Sequence, residues 1–338
     1  MDTFIEKKVN MNIVYTTNEA FVAKVAAGIC SVFENNKDME EIQIFIIGQD
    51  LSEDSIEKFY IIAEQYKRIV TIIPLEKLEN YLDFKFDTGG WNPIVLARLL
   101  LDRFLPGEID RVLYLDGDTI NISSLKEVWD TDMNDKVIGA CIEATVNKKQ
   151  RLYLGMKNIP YVNAGVLLIN LDKWRQEKIG KRILEFYKNN EGKLFANDQD
   201  AINGALKNEI YYLSPKYNFY NIYWFYPYKI LKKITDNTFY YSKDIVEDAI
   251  KSPAIIHYLG EERPWRAGNR HKYRKEYFKY LNKTPWKNEK MEEGWQIYYV
   301  CWGIFNFLTC PFPMLRYKII NGLIPVFMKW RKKNLNKK

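Results

Sequence analysis

Three features of the sequence predict an α/β fold built on a mainly parallel sheet. Short apolar runs rich in β-branched residues recur along the chain, helix-period segments separate them, and turn residues mark the junctions. Strands alternating with helices in this way form crossover units, and ligands of such sheets bind beyond the carboxyl ends of the strands. At 338 residues, 47% hydrophobic and 28% charged, the chain can fill one large domain with an appendage, or two modest domains.

Residues 11–16 (MNIVYT) read as the first strand, and apolar positions over 21–33 then recur at helical spacing. A second strand follows at 42–47, Ser52 caps a helix running to about Tyr66, and 70–75 is a third strand. Pro93 suits the first turn of a helix over 93–104 that carries Arg98 on an otherwise apolar element. The strand at 111–115 runs straight into Asp116. Further strands are expected at 137–142, 164–170 and 254–259, with helices over 171–187 and 198–206.

Composition narrows the class. The four cysteines, Cys30, Cys141, Cys301 and Cys310, form no Cys-x-x-Cys pair, which excludes a disulfide framework and a thiolate zinc site and fits a reducing, cytosolic setting. Asp2 and Glu6 stand where a signal peptide would need an apolar run, so export is not expected. The net charge of +7 is carried by the end of the chain: no acidic residue follows Glu293, whereas Arg316, Lys318, Lys329, Arg331, Lys332, Lys333, Lys337 and Lys338 do.

The texture changes past Arg270, which divides the chain into a catalytic body, 1–270, and an appendage, 271–338. Residues 296–315 carry no charge, but Asn306, Thr309, Pro311 and Pro313 argue against a clean membrane span. With the apolar stretch 319–328 and the ending WRKKNLNKK, the appendage reads as an interfacial element suited to anionic lipid, placed peripherally on the inner face of the cell membrane. A helical lid that completes the core is the competing reading. Lysine runs also bind nucleic acid, but the aromatic block beside them favours membrane, so no nucleic-acid partner is expected.

Asp116-Gly117-Asp118 at the end of a buried strand is the strongest local signal. Carboxylates at i and i+2 can turn the same way and chelate a divalent cation, with Gly117 leaving room for a ligand. The alternative is an ordinary turn after a strand. His257, one of only two histidines, closes an apolar run just before Gly260. Were the three to meet, they would form an oxygen-rich site with one imidazole, suited to Mn²⁺ rather than zinc. No Gly-x-Ser-x-Gly elbow, Walker A loop or kinase signature is present.

Six segments in order, NIVYTTNEAF, Ala97-Arg98-Leu99, LYLDGDTI, VNAGVLLINLDKW, NDQDAIN and HYLGEERPW, resemble the retaining glycosyltransferases of family 8, which include bacterial lipopolysaccharide galactosyl- and glucosyltransferases and glycogenin. The resemblance covers roughly residues 11–265. It implies a GT-A fold, a Rossmann-like sheet with a C-terminal helical appendage. It also implies Mn²⁺, with Mg²⁺ able to substitute, held by Asp116, Asp118 and His257 against a UDP-sugar.

By the same resemblance Thr16 and Asn18 contact the uridine, and Gly117, Gly260 and Arg263 lie against the diphosphate. Arg98, Asn163, Asp198 and Gln199 line the donor sugar. Family members often carry Asp where Asn18 stands and Lys where Arg263 stands. Asn18 can still accept from uracil N3–H, and Arg263 can grip phosphate bidentately. Structural alternatives exist for three of the sugar-lining residues: Asn163 as a turn cap, Asp198 as a helix N-cap, and Arg98 paired with Asp102 one turn on.

The implied activity is transfer of a hexose, glucose or galactose, to an acceptor glycan, glycolipid or glycoprotein with retention of configuration. A double displacement and a same-face attack both give retention. The same-face route is favoured, because an amide such as Gln199 is a poor nucleophile and a good dipole. A non-catalytic sugar-nucleotide-binding protein of the same fold is the alternative. Every donor and metal residue lies at or before Arg263, so the appendage is expected to be spatially separate from the donor site.

Overall fold

A computed structural model describes the backbone of residues 10–235 and 240–335, and the side chains of 11–235 and 240–326. Asp2, Glu6, Lys337 and Lys338 lie outside the described residues, as do the side chains of Lys329, Arg331, Lys332 and Lys333.

Seven strands form one sheet in the order β3-β2-β1-β4-β7-β6-β8: β1 Asn10–Asn18, β2 Glu41–Gln49, β3 Ile69–Leu75, β4 Arg111–Leu115, β6 Ile138–Ile142, β7 Val162–Asn170 and β8 Ile210–Tyr212. β3, β2, β1 and β4 are parallel, joined through helices such as Val22–Asn35 and Glu53–Tyr66, and β6 and β8 are parallel to each other. β7 runs antiparallel to both β4 and β6. The sheet is thus mixed and mainly parallel, as the alternating pattern predicts.

Side chains alternate across it. Met11, Ile13 and Tyr15 of β1, with Leu113 and Leu115 of β4, join the core under the Val22–Asn35 helix. Val14, Val112 and Tyr114 point to the opposite core, against the segment Pro93–Leu100 and the helix Ile179–Asn189. Two buried faces explain why these strands read as continuous apolar runs.

Local chemistry sets several boundaries. Ser52 caps its helix as expected, accepting from Ser55 N–H at 3.1 Å, and Lys67 ends it in a left-handed conformation. The segment expected as one helix from Pro93 is a 3₁₀ turn, Pro93–Leu100, followed by a short α-turn, Leu101–Phe104. The helix expected over 171–187 is two, Leu171–Gln176 and Ile179–Asn189, broken where Lys178 adopts φ 53°.

Two short strands, β5 Thr119–Asn121 and β9 Ile255–His257, form a separate antiparallel ribbon that pairs Thr119 with His257. The run expected as a strand over 254–259 ends early because the chain then turns at Gly260, whose φ of +73° suits a residue without Cβ.

Residues 271–338, read from the sequence as an appendage, hold the helices Arg274–Leu281, Gln296–Thr309 and Pro313–Leu335, the first of which joins the main core through Tyr277, Tyr280 and Leu281. Contrary to the separation expected, this part of the chain packs against the turn that precedes Arg263. Tyr299 Oη donates to Glu261 O at 2.6 Å and Trp302 Nε1 to Glu262 Oε1 at 2.6 Å, both on the turn before Arg263. Arg316, read as part of the basic end, is instead 2% exposed. Its guanidinium lies 4.0 Å from the centre of the Phe225 ring and donates to Thr309 Oγ1 at 3.1 Å. Among the described residues, no helix is long and apolar enough to cross a membrane.

Candidate active site

β4, the central strand, delivers Asp116 at its carboxyl end, where the Asp116 N–H donates to Gly165 O of β7 at 2.8 Å. Thr119 closes the turn by donating its N–H (3.1 Å) and Oγ1–H (2.7 Å) to Asp116 O. A Cβ at Gly117 would lie 2.8 Å from Val25 Cγ2 and 3.0 Å from Phe21 Cδ1, so the turn packs tightly on the first helix. The β5–β9 register and a bond from Tyr258 N–H to Asp118 O (2.9 Å) bring His257 alongside. One ligand atom from each of Asp116, Asp118 and His257 lies within 4.8 Å of the others.

Hydrogen bonds fix the state of the imidazole. Gly165 N–H donates to Asn163 Oδ1 at 2.9 Å, and a backbone amide can only donate, so the Asn163 amide has one orientation. Asn218 Nδ2 donates to the same oxygen at 2.8 Å, which turns Asn218 Oδ1 toward His257 Nδ1, also at 2.8 Å. The proton of the neutral ring therefore sits on Nδ1, leaving Nε2 with a lone pair. Nε2 is buried, has no hydrogen-bond partner among the described residues, and stands 3.1 Å from Asp118 Oδ1 and 3.8 Å from Asp116 Oδ2.

A lone pair facing two carboxylates is favourable only with a cation among them, either a second ring proton or a divalent ion. Two carboxylates with one imidazole fit Mn²⁺ or Mg²⁺ better than zinc. A Cβ at Gly165 would press into the His257 ring and lie 2.8 Å from Asp116 Oδ2, so only glycine leaves this space open. Burial opposes charge on Asp118, but the imidazolium form of His257 and Arg263 outweigh it and hold the carboxyl below its ordinary range.

Arg98 ties this cluster to the Asn197–Leu206 helix. Its Nη2 lies 2.8 Å from Asp116 Oδ1 and its Nε 2.9 Å from Asp198 Oδ2, while Nη1 donates to Ala164 O at 2.6 Å. Arg98 thus pairs with the site residues and not with Asp102. Burial disfavours its charge, and Asp116 and Asp198 more than restore it. Burial pushes the Asp198 carboxyl up to about 6 against the pull of Arg98. Gln199 is held at both ends, its Oε1 accepting from Ala164 N–H (2.9 Å) and its Nε2 donating to Tyr161 Oη (3.2 Å).

On the other side, Thr16 Oγ1 lies 2.9 Å from Tyr114 Oη, which donates to Asp116 Oδ1 at 3.0 Å. Asn18 ends β1, half-buried. Arg263 Nε donates to Gly260 O at 3.0 Å, and its Nη2 reaches to 3.6 Å from Asp118 Oδ2. The residues read from the sequence therefore fall along one rim of the sheet, at the carboxyl ends of β1 and β4.

Asn218, Gly165 and Tyr114 escaped the sequence reading. Gly165 carried a signal, a glycine inside a strand, which often marks close approach of a neighbour. Asn218, fully buried in an aromatic stretch, carried none.

The mixed, mainly parallel seven-stranded sheet, with its functional side chains at strand ends, has the GT-A fold of glycosyltransferases. Residues 12–268 match Glycosyl transferase family 8, and the chain belongs to that family. Among its relatives are General stress protein A of Bacillus subtilis, 24% identical over 282 residues (82% of this chain, 94% of the relative). Another is the lipopolysaccharide 1,3-galactosyltransferase of Salmonella typhimurium, 26% identical over 289 residues (82% and 79%). The crystal structure of the galactosyltransferase LgtC in complex with donor and acceptor sugar analogs is similar, with TM-score 0.70 and 25% identity over 81% of this chain and 96% of that one.

Proposed function

We propose that this glycosyltransferase moves glucose or galactose from a UDP-sugar to an acceptor glycan with retention of configuration, using Mn²⁺ for which Mg²⁺ can substitute. The observation that carries the reading is the buried, unpartnered Nε2 of His257 facing Asp116 and Asp118, with Arg263 at 3.6 Å. When bound there, the ion supplies Lewis acidity to the departing diphosphate.

The chain's own residues do the positioning. Arg263 and the Gly260 turn receive the diphosphate, and Asn18 and Thr16 sit where the base and ribose would lie. Arg98 orients Asp198 toward the sugar hydroxyls, whereas Asn163, read as a sugar-lining residue, commits its side chain to Gly165 N–H, Asn218 and Glu143. Gln199, pinned at both ends, presents a fixed dipole near the anomeric carbon and no nucleophile. This favours a same-face attack in which the leaving phosphate takes the acceptor's proton. Proton NMR of the glycoside formed from UDP-glucose or UDP-galactose tests the reading: an α-linked product is expected, and a β-linked one refutes retention.

The C-terminal element supports placement on the inner face of the cell membrane. Ile297, Val300, Ile304 and Phe307 form an exposed stripe along the helix Gln296–Thr309, while Tyr299 on the same helix is buried against the body. Lys318 is exposed one helix further on, on the side of anionic lipid in this reading.

A further inference from the structure

Beside the turn that carries Arg263 lies a cavity of about 210 Å³, comparable to one pyranose ring, between the catalytic body and the helix Gln296–Thr309. Trp224 and Phe225 of the body and Trp302 of the helix give it aromatic walls.

Polar groups with unused capacity converge on it. Asn306 Oδ1 is buried without a hydrogen-bond partner among the described residues. His271, 7% exposed, accepts Tyr273 N–H at Nδ1 (3.1 Å), and burial pushes its pKa down to about 3. The ring is therefore neutral with its proton on Nε2, a donor that has no partner among the described residues.

Glu262 is fixed by Trp302 Nε1–H on Oε1 (2.6 Å) and Asn221 Nδ2–H on Oε2 (2.8 Å), which leaves each oxygen a lone pair for a ligand hydroxyl. Arg270 and Lys272 stand exposed at the rim. Aromatic walls offering contact to the C–H face of a ring, flanked by a carboxylate, a neutral donor and an amide acceptor, are suited to a hydroxyl-rich sugar.

Two short chain segments tie the cavity to the cluster of Asp116, Asp118 and His257. Asn218 holds His257, and three residues later Asn221 holds Glu262; Arg263, next to Glu262, reaches Asp118. Much of the cavity's lining, from Arg270 to Asn306, lies beyond the family-matched residues 12–268. We infer that this cavity binds one neutral pyranose ring of the acceptor, an inference that rests on the transferase reading.

Saturation-transfer NMR on the full chain, held in saturating UDP and diamagnetic Mg²⁺, tests it with methyl glucopyranosides and methyl galactopyranosides as probes. At least one glycoside should bind, and Trp224→Ala or Glu262→Gln should weaken it at least fivefold while UDP affinity stays within twofold of wild type. The inference is overturned if no glycoside binds, if neither variant weakens binding, or if binding falls only in step with UDP affinity. Turnover of UDP-hexose without glycoside binding here would overturn the subsite alone. Glycoside binding here by a chain that turns over no UDP-hexose would overturn the transferase reading alone.

Discussion

Replacing Asn218 with Ala removes the one group that holds the His257 proton on Nδ1, at 2.8 Å. In the variant the ring is free to carry its proton on Nε2, where the metal needs a lone pair. Loss of such an orienting partner typically weakens metal binding 10- to 100-fold, or ~1.4–2.7 kcal/mol. Stability should fall as well, by about 1–3 kcal/mol for leaving the buried Nδ1–H unpaired, while Asn163 Oδ1 keeps its bond to Gly165 N–H. That is within what a domain of ordinary stability tolerates. Calorimetric titration of Mn²⁺ in the presence of UDP reads the affinity. ¹⁵N NMR of the metal-free protein reads the tautomer directly, since the chain has only two histidines. An Asn218→Ala variant with wild-type Mn²⁺ affinity, or a wild-type His257 protonated on Nε2 alone, would refute the reasoning.

Gly165→Ala, whose new methyl would press on His257 and Asp116, should abolish Mn²⁺ binding while circular dichroism stays native; retained binding would contradict the packing. Asp198, with a carboxyl at about 6 against an ordinary 3.8, binds its proton more tightly folded than unfolded. Its contribution to stability is complete below the unfolded value and is lost as pH rises through about 6. Asp198→Asn cannot ionise, so its stability relative to wild type should improve between pH 4 and 7, by at most ~3 kcal/mol. Urea unfolding at both ends of that range checks this, and a constant difference contradicts it. The pair Ile304→Asp and Phe307→Asp, on the exposed stripe, should release the protein from anionic vesicles in co-sedimentation. A wild-type chain that stays in the supernatant ends the membrane reading.

Much of the donor side was legible because it sits at strand ends. The apolar run to Leu115 fixed where Asp116 and Asp118 emerge, and alternation of Leu113 and Tyr114 across the sheet follows from a period of two. What brings His257 to them was not legible, because β5 and β9 are three residues each, too short for any period to register. The same limit hid Asn218, which acts through a single pair of hydrogen bonds. The appendage misled for a different reason. Arg316 looks like one more basic residue in sequence, but tertiary packing encloses it among Phe225, Trp302 and Phe305, and only the fold brings Tyr299 onto Glu261.

In the function proposed above, Asp116, Asp118 and His257 form a divalent-cation site that activates a UDP-hexose. The most direct test is release of UDP from UDP-glucose and UDP-galactose, with Mn²⁺ and with chelator, by wild type and by Asp118→Asn. Release by the wild type that requires Mn²⁺ and falls at least a hundredfold in Asp118→Asn is the predicted result; undiminished release in chelator, or by the variant in Mn²⁺, would contradict it.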